Sequence, residues 1–278
     1  METCEGRELS ASLVWKTDVD LVLVRRSAEK LPEWIEMNWE GLDDIPGRRV
    51  VLETSKPLGV ARMRSVQRVR TPYFLCLDDD VMIDEGWYVR MMEKWREVEE
   101  LPLLWQRSEK VLRGRPLGAL QCMRRIVGLG SAFDDALNDY IMKNDTHDLK
   151  FGDRGGPDCT LFLTEAIKGW KPSRPDLSAY EDYEMTQYVL QKGYRWVLLS
   201  PREIEVYHIY DWNKVARNAM WGAEGWKKTH DSTPFSLLRE IISVALHPFV
   251  VLLSEKSLHL FTFMLVQDFF RVMGLVFR

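Results

Sequence analysis

The chain has 278 residues, enough for one large domain or a domain with an appendage. Hydrophobic residues make up 46% and charged residues 29%, with 17 Gly and 12 Pro, which excludes disordered, collagen-like and low-complexity classes. Lys and Arg number 38 against 42 Asp and Glu, a net charge of −4, so no overall basic field points to nucleic acid and any cationic work is local. Four cysteines, at positions 4, 76, 122 and 159, lack C-x-x-C or metal-finger spacing, and no secretory leader opens the chain. The expectation is a reduced, cytoplasm-facing protein.

The apolar run Asp20-Leu21-Val22-Leu23-Val24 predicts a buried strand that emerges at Arg25 and Arg26. A helix is expected through Leu31, Trp34, Ile35, Asn38 and Leu42, with Ser27 as a cap and Pro32 in its first turn. A second strand covers Val50–Leu52 and ends at Glu53. Gly59 opens a helix with Val60, Met63, Val66 and Val69 on one face, while Arg62, Arg64 and Arg68 could touch a diphosphate but read first as its solvated basic side. Tyr73–Leu77 is a third strand and runs straight into Asp78-Asp79-Asp80. Trp87, Met91, Trp95 and Val98 mark another helix, Leu117–Cys122 and Arg195–Leu199 further strands, and residues 131–142 a helix. Residues 147–158 form a polar, Gly-rich loop, and Tyr180-Glu181-Asp182-Tyr183-Glu184 opens a helix that stops at Gly193. Such alternation calls for a parallel α/β sheet, with ligands outside the carboxyl ends of its strands.

From Pro234 the texture changes. Ile241–Leu253 carries no charge, and Leu258–Phe277 is interrupted only by His259, Gln267, Asp268 and Arg271. The break at Ser254–Ser257 makes this a helical hairpin, with Pro248 expected to kink its first arm. At 1.5 Å per residue the uncharged stretch reaches about 20 Å, short of a hydrocarbon core of about 30 Å. Shallow docking on a bilayer and a span whose charges face protein both stay open, as does packing on the sheet. Before the hairpin, Tyr207–His230 holds Trp212, Trp221, Trp226, Lys214, Arg217, Lys227 and Lys228. Trp bodies with cationic heads suit an interfacial helix able to grip an anionic acceptor, although an ordinary amphipathic helix has the same pattern.

Three features carry chemistry. Asp78 and Asp80 alternate along an extended chain and can present oxygens to one hard ion, Mg²⁺ or Mn²⁺, which would neutralise a substrate diphosphate. A solvated, Asp-rich turn is the plain alternative. Glu181 and Asp182 suit a first helical turn on electrostatic grounds alone, and His208 fits either a structural ring or a ligand.

Taken in order, a strand ending in D-D-D, Gly155-Gly156-Pro157-Asp158, an E-D at a helix start, Gly193-Tyr194-Arg195-Trp196 entering a strand and then His208 resemble the family 2 glycosyltransferases with the GT-A fold. The resemblance covers roughly residues 20–210. It implies a Rossmann-like mixed α/β sheet flanked by helices, with membrane-associated helices after it. Asp78 and Asp80 then stand at the outer positions of the D-x-D motif, and His208 where many members supply a further metal ligand. Asp182 takes the place of the general base of inverting members, with Glu181 beside it orienting acceptor or sugar. Arg25, Glu53, Asp79 and Asp158 fall where the nucleotide sugar is held. Glu53 follows the second strand, where members carry an acidic residue for the nucleobase.

The Trp-rich segment and hairpin resemble those of lipid-acceptor branches, the dolichyl-phosphate-mannose-synthase-like and cellulose-synthase-like members. Lys214, Arg217, Trp212 and Trp221 would then meet the lipid phosphate. The Q-x-x-R-W signature of the cellulose-synthase-like branch is not matched, since Gln191 lies one residue too far from Arg195-Trp196. The implied organisation is a catalytic domain over 1–210, an interface helix over 211–233 and an apolar hairpin over 234–278. The implied function is metal-dependent, inverting transfer of a hexose, mannose from GDP-mannose, to a polyprenyl or dolichyl phosphate, with the catalytic domain on the cytoplasmic side of a cell membrane. The alternatives are a UDP-sugar donor with a lipid-linked glycan acceptor, a retaining or nucleotidyl-transferring relative, and a non-enzymatic membrane protein.

Overall fold

The computed structural model describes residues 19–24, 49–53, 56–78, 80–84, 86–100, 114–176, 179–230 and 233–277. The helix expected through Leu31–Leu42, and the expected sugar-nucleotide contacts Arg25 and Asp79, lie outside the described residues.

Seven strands form the main sheet: β1 (Val19–Val24), β2 (Arg49–Glu53), β3 (Tyr73–Asp78), β5 (Leu117–Cys122), β7 (His147–Asp148), β8 (Cys159–Leu163) and β9 (Arg195–Leu199). Their order is β2-β1-β3-β8-β5-β9-β7. β1 pairs in parallel with β2 and β3, and β5 with β9, but β8 runs antiparallel to both β3 and β5. The sheet is therefore mixed, as the resemblance implies and strand–helix alternation alone does not. The Gly-rich loop delivers the chain to the carboxyl end of β3, where Leu77 pairs with Cys159, so β8 must run back down.

Alternation along β3 builds two cores from one strand. Leu75 and Leu77 face a layer with Trp87, Met91 and Trp95 of α2 (Trp87–Glu100), while Phe74 and Cys76 face the opposite layer. That second layer gathers Ala61 and Val66 of α1 (Leu58–Arg68), Ile167 of α4 (Thr164–Ile167) and Val189 of α5 (Glu181–Gln191) around Phe162 and Trp196. Each such buried side chain contributes roughly 1.5–3 kcal/mol through the water it leaves.

A smaller sheet caps the carboxyl end, with β4 (Val81–Met82) antiparallel to β10 (Tyr207–Ile209) and β10 parallel to β6 (Arg125–Val127). Helix α3 (Ser131–Ile141) follows β6, and α6 (Trp212–Thr229) follows β10. The tail is two helices, α7 (Pro234–Glu255) and α8 (Leu258–Phe277), joined where Lys256 takes a left-handed backbone. Both are long and apolar enough to cross a membrane by length and composition, and α7 continues through Pro248. Leu260 and Phe263 of α8 join Leu137 of α3 and Val215 of α6 in a third core. Helices α6 and α8 lie side by side: Phe263 meets Trp212, and Gly274 lies so near Met220 and Ala223 that an added Cβ would come within 2.8 Å of the Ala223 methyl. The exposed stripe Leu238, Ile242, Leu246, Phe249 and Leu253 is on α7.

Candidate active site

The end of β3 is where the chain concentrates charge. Strand register puts Asp78 beside Asp158, whose carbonyl accepts the Asp78 N–H at 3.1 Å, and Asp158 pairs with Arg124. Gly156 is required there because a Cβ would stand 2.5 Å from Asp158 Oδ1. The Asp78 carboxylate turns inward to Arg62, whose Nη2 donates to both of its oxygens at 3.3 Å while Nε donates to Glu181 Oε1 at 3.2 Å. Arg62 is 5% exposed, which corrects its reading as part of a solvated face: it stitches β3 to the start of α5. Arg64 and Arg68 are exposed, as expected, and Arg68 reaches Glu53 at 3.5 Å at the edge of the sheet.

Asp80 has a different partner set. The pairing of Val81 with His208 brings Asp80 to the His208 ring, with Oδ1 2.9 Å from Nε2. Lys214, in the first turn of α6, aims its ammonium into the same cluster instead of at solvent. Its Nζ donates to Asp80 Oδ2 at 2.5 Å and to the Ile209 carbonyl at 2.6 Å, and lies 2.8 Å from His208 Nε2. Lys214 is buried, and its ammonium is held by one carboxylate and one backbone carbonyl. Burial alone would raise the Asp80 carboxyl, but the His208 ring and the Lys214 ammonium overrule it and hold the group well below the usual carboxylate range. Burial pulls His208 down to about 4, with Asp80 offsetting only part of the effect, so the ring is neutral at pH 7.

Helix α5 begins with Tyr180 in a left-handed conformation, φ 73°, which sets Glu181 and Asp182 side by side facing different ways. Glu181 points inward. Burial first, then the neighbouring Asp182 charge, push its carboxyl up to about 7 against the pull of Arg62, and Oε2 has no partner. Asp182 faces outward, accepting from Arg154 Nε at 2.7 Å and from the Tyr183 N–H at 2.8 Å. Arg154 also stacks over the Tyr180 ring, 4.9 Å from its centroid.

These groups wall a cleft of about 740 Å³, whose lining includes Arg62, Asp78, Arg124, Arg154, Asp158, Asp182, His208 and Tyr210. Of the residues singled out in the sequence, the structure thus gathers Asp78, Asp158, Asp182 and His208 on one void, with Glu181 and Asp80 directly behind. Sequence reasoning passed over Arg124, Arg154 and Tyr210; the basic residue following β5 and the one preceding Gly155-Gly156 were the available signals. Glu53 stays at the edge strand with Arg68. On α6, Trp212 packs edge-on against Phe133 at 5.0 Å and joins the third core, whereas Arg217 is exposed and lies over the Trp221 ring. Lys214 is inside, on Asp80.

A divalent ion would need several anionic or imidazole donors converging on one point. Among the described residues no three His, Cys, Asp or Glu side chains do so. Asp80 and His208 meet, but an ammonium already sits on both, and Asp78 is committed to Arg62. The described side chains as arranged do not fit a resident divalent ion.

The chain matches no family model and no curated protein. Its fold is similar to that of the mannosyltransferase PcManGT from Pyrobaculum calidifontis in complex with GDP-Man and Mn²⁺, with TM-score 0.55 and 11% identity, covering 94% of this chain and 87% of that one. Weaker likenesses include S. aureus TarS 1-349 in complex with UDP-GlcNAc, TM-score 0.41, 13% identity, covering 96% and 88%. Another is A197 from STIV, TM-score 0.41, 15% identity, covering 70% and 86%. At such identity the first likeness shows the fold alone: a mixed sheet flanked by helices in the GT-A manner, followed by two long apolar helices.

Proposed function

We propose that the protein is a glycosyltransferase that takes a sugar from a nucleoside-diphosphate donor and transfers it at a membrane surface. One observation carries the reading: Asp78, Asp158, Asp182 and His208 line one cleft with Arg124 and Arg154, at the carboxyl ends of the strands where α/β sheets hold ligands. The two guanidiniums offer fork-shaped donors for a diphosphate. Asp182 is the carboxylate on that cleft able to take a proton from an acceptor hydroxyl, and Glu181 behind it positions Arg62 and Asp78. For a phosphate acceptor, already ionised, Asp182 orients instead. We carry no step through Mn²⁺ or Mg²⁺, because the described residues do not form a seat for one.

The finer assignment is mannose from GDP-mannose to a polyprenyl or dolichyl phosphate. Two things support it: the donor named with the similar fold of PcManGT, and the apolar stripe on α7, which suits a lipid surface. Incubating the protein with GDP-mannose and a panel of UDP-sugars, with and without polyprenyl phosphate in vesicles, tests it. Lipid-dependent consumption of one donor is expected. No release of GDP or UDP from any donor, with or without lipid, overturns the activity, and transfer from a UDP-sugar overturns the mannose assignment.

A further inference from the structure

The cation on Asp80 and His208 is built into the chain. We infer that the Lys214 ammonium is the resident cation of this site, and that the protein binds a nucleoside diphosphate without a divalent ion. The inference rests on the donor reading above and adds how that site handles charge.

An ion bridging Asp80 and His208 would have to take the oxygen that Lys214 holds at 2.5 Å and the space its ammonium fills 2.8 Å from the ring nitrogen. Lys214 does not yield by a small rotation, because the Ile209 carbonyl also holds its ammonium at 2.6 Å and the Tyr210 ring lies 4.6 Å from it. Helix α6 fixes the stem as well: Asp211 caps the helix by accepting the Lys214 N–H at 2.6 Å, so backbone and side chain are both tied to this corner. Asp78, the other ligand a metal would need, is neutralised by Arg62. With Asp78 and Asp80 compensated from within the chain, these two carboxylates repel a diphosphate less. Arg124 and Arg154, 25% and 46% exposed and paired with Asp158 and Asp182, stand at the cleft surface, where their remaining N–H groups can meet its oxygens.

Calorimetric titration of the full-length protein with GDP and with UDP, in EDTA and again with excess Mn²⁺, tests the inference, with Mn²⁺ electron paramagnetic resonance as a second readout. The expected result is binding of one nucleotide with affinities within about threefold in the two buffers, and no slowly tumbling Mn²⁺ signal from protein alone. Lys214→Met should weaken nucleotide binding in EDTA by roughly tenfold or more, because it leaves the Asp80 charge uncompensated behind the cleft, and should create a Mn²⁺ response as Asp80 and His208 become free. Wild-type binding that needs Mn²⁺, or a Lys214→Met variant that binds as wild type in EDTA, overturns the inference and leaves the donor reading standing. Binding of neither nucleotide in either buffer overturns both. Should Lys214→Met fail to fold, the wild-type comparison and the Mn²⁺ spectrum decide alone.

Discussion

The cleft and the tail both pair acidic with basic side chains, and they do so to different ends. In the cleft, Arg62–Asp78, Arg124–Asp158 and Arg154–Asp182 line a void, so each pair has one side that a ligand can reach, and Lys214–Asp80 stands behind them. In the tail, His247 meets Asp268 at 2.7 Å and Arg271 meets Glu240 at 2.6 Å, each pair bridging α7 and α8 with helix on both sides. Pairs around a void can exchange partners with a substrate. Pairs between helices fix register, and here they turn the polar residues of the hairpin toward each other and leave the α7 stripe apolar.

The comparison can be broken at several points. The largest effect is expected at Asp182. Asp182→Asn should lower turnover on a hydroxyl acceptor by about 10²–10⁴-fold, the usual reach of general-base catalysis, yet leave turnover on a lipid phosphate within a few-fold. Steady-state rates on both acceptors decide, and equal losses would remove the proton-transfer role. Next is the tail. Leu246→Glu with Leu253→Glu should weaken co-sedimentation with anionic vesicles by roughly a hundredfold, since each buried leucine is worth about 1.5–3 kcal/mol, without altering GDP or UDP affinity. Unchanged sedimentation would take the lipid surface away from α7.

Third, Asp80→Asn strands the Lys214 charge and should cost about 3 kcal/mol in urea unfolding, the scale for breaking a buried pair. A loss below 1 kcal/mol, on the order of a surface pair, would mean that the ammonium is solvated. Fourth comes Glu181, whose carboxyl stands at about 7 in the fold against 4.5 ordinarily. A raised carboxyl binds more protons folded than unfolded, so its contribution is full below the ordinary value and is lost as pH rises through about 7, a matter of about 3 kcal/mol. Glu181→Gln should flatten the pH dependence of stability in that window, and an unchanged curve would assign the slope elsewhere. The smallest effect belongs to the tail pair: His247→Leu with Asp268→Leu together should shift stability by less than about 1 kcal/mol, whereas His247→Leu alone should cost more than the double change. A double-mutant cycle reads the difference.

Strands β1, β3, β5 and β9 were legible because each is an apolar run of five or six residues with turn chemistry on both sides. Strand β8 was not: Cys-Thr-Leu-Phe-Leu runs without a turn into the helical Thr164–Ile167, and nothing in five residues says which way a strand points. The two- and three-residue strands β4, β6 and β10 carry no periodic signal at all, yet they are what joins Asp80 to His208 across 128 positions. Asp78, Asp182 and His208 could be nominated by residue type and order. The pairing of each carboxylate with a basic residue could not, since Arg62 finds Glu181 across 119 positions and Arg154 finds Asp182 across 28. Lys214 sits six positions from His208 and was legible as a cation, but its direction follows from the turn between β10 and α6.

One glycine sets a limit on how the cleft can open. A Cβ at Gly225 of α6 would stand 2.4 Å from a carbon of the Tyr180 ring and 3.1 Å from Ala179. Helix α6 and the residue that launches α5 are therefore in hard contact, like a door closed onto its stop. The end of the cleft where Asp182 stands has no slack on that side, and α8 backs α6 from behind through Gly274. Clearance for a ligand has to be made elsewhere on the cleft wall, where Arg124 is paired with Asp158.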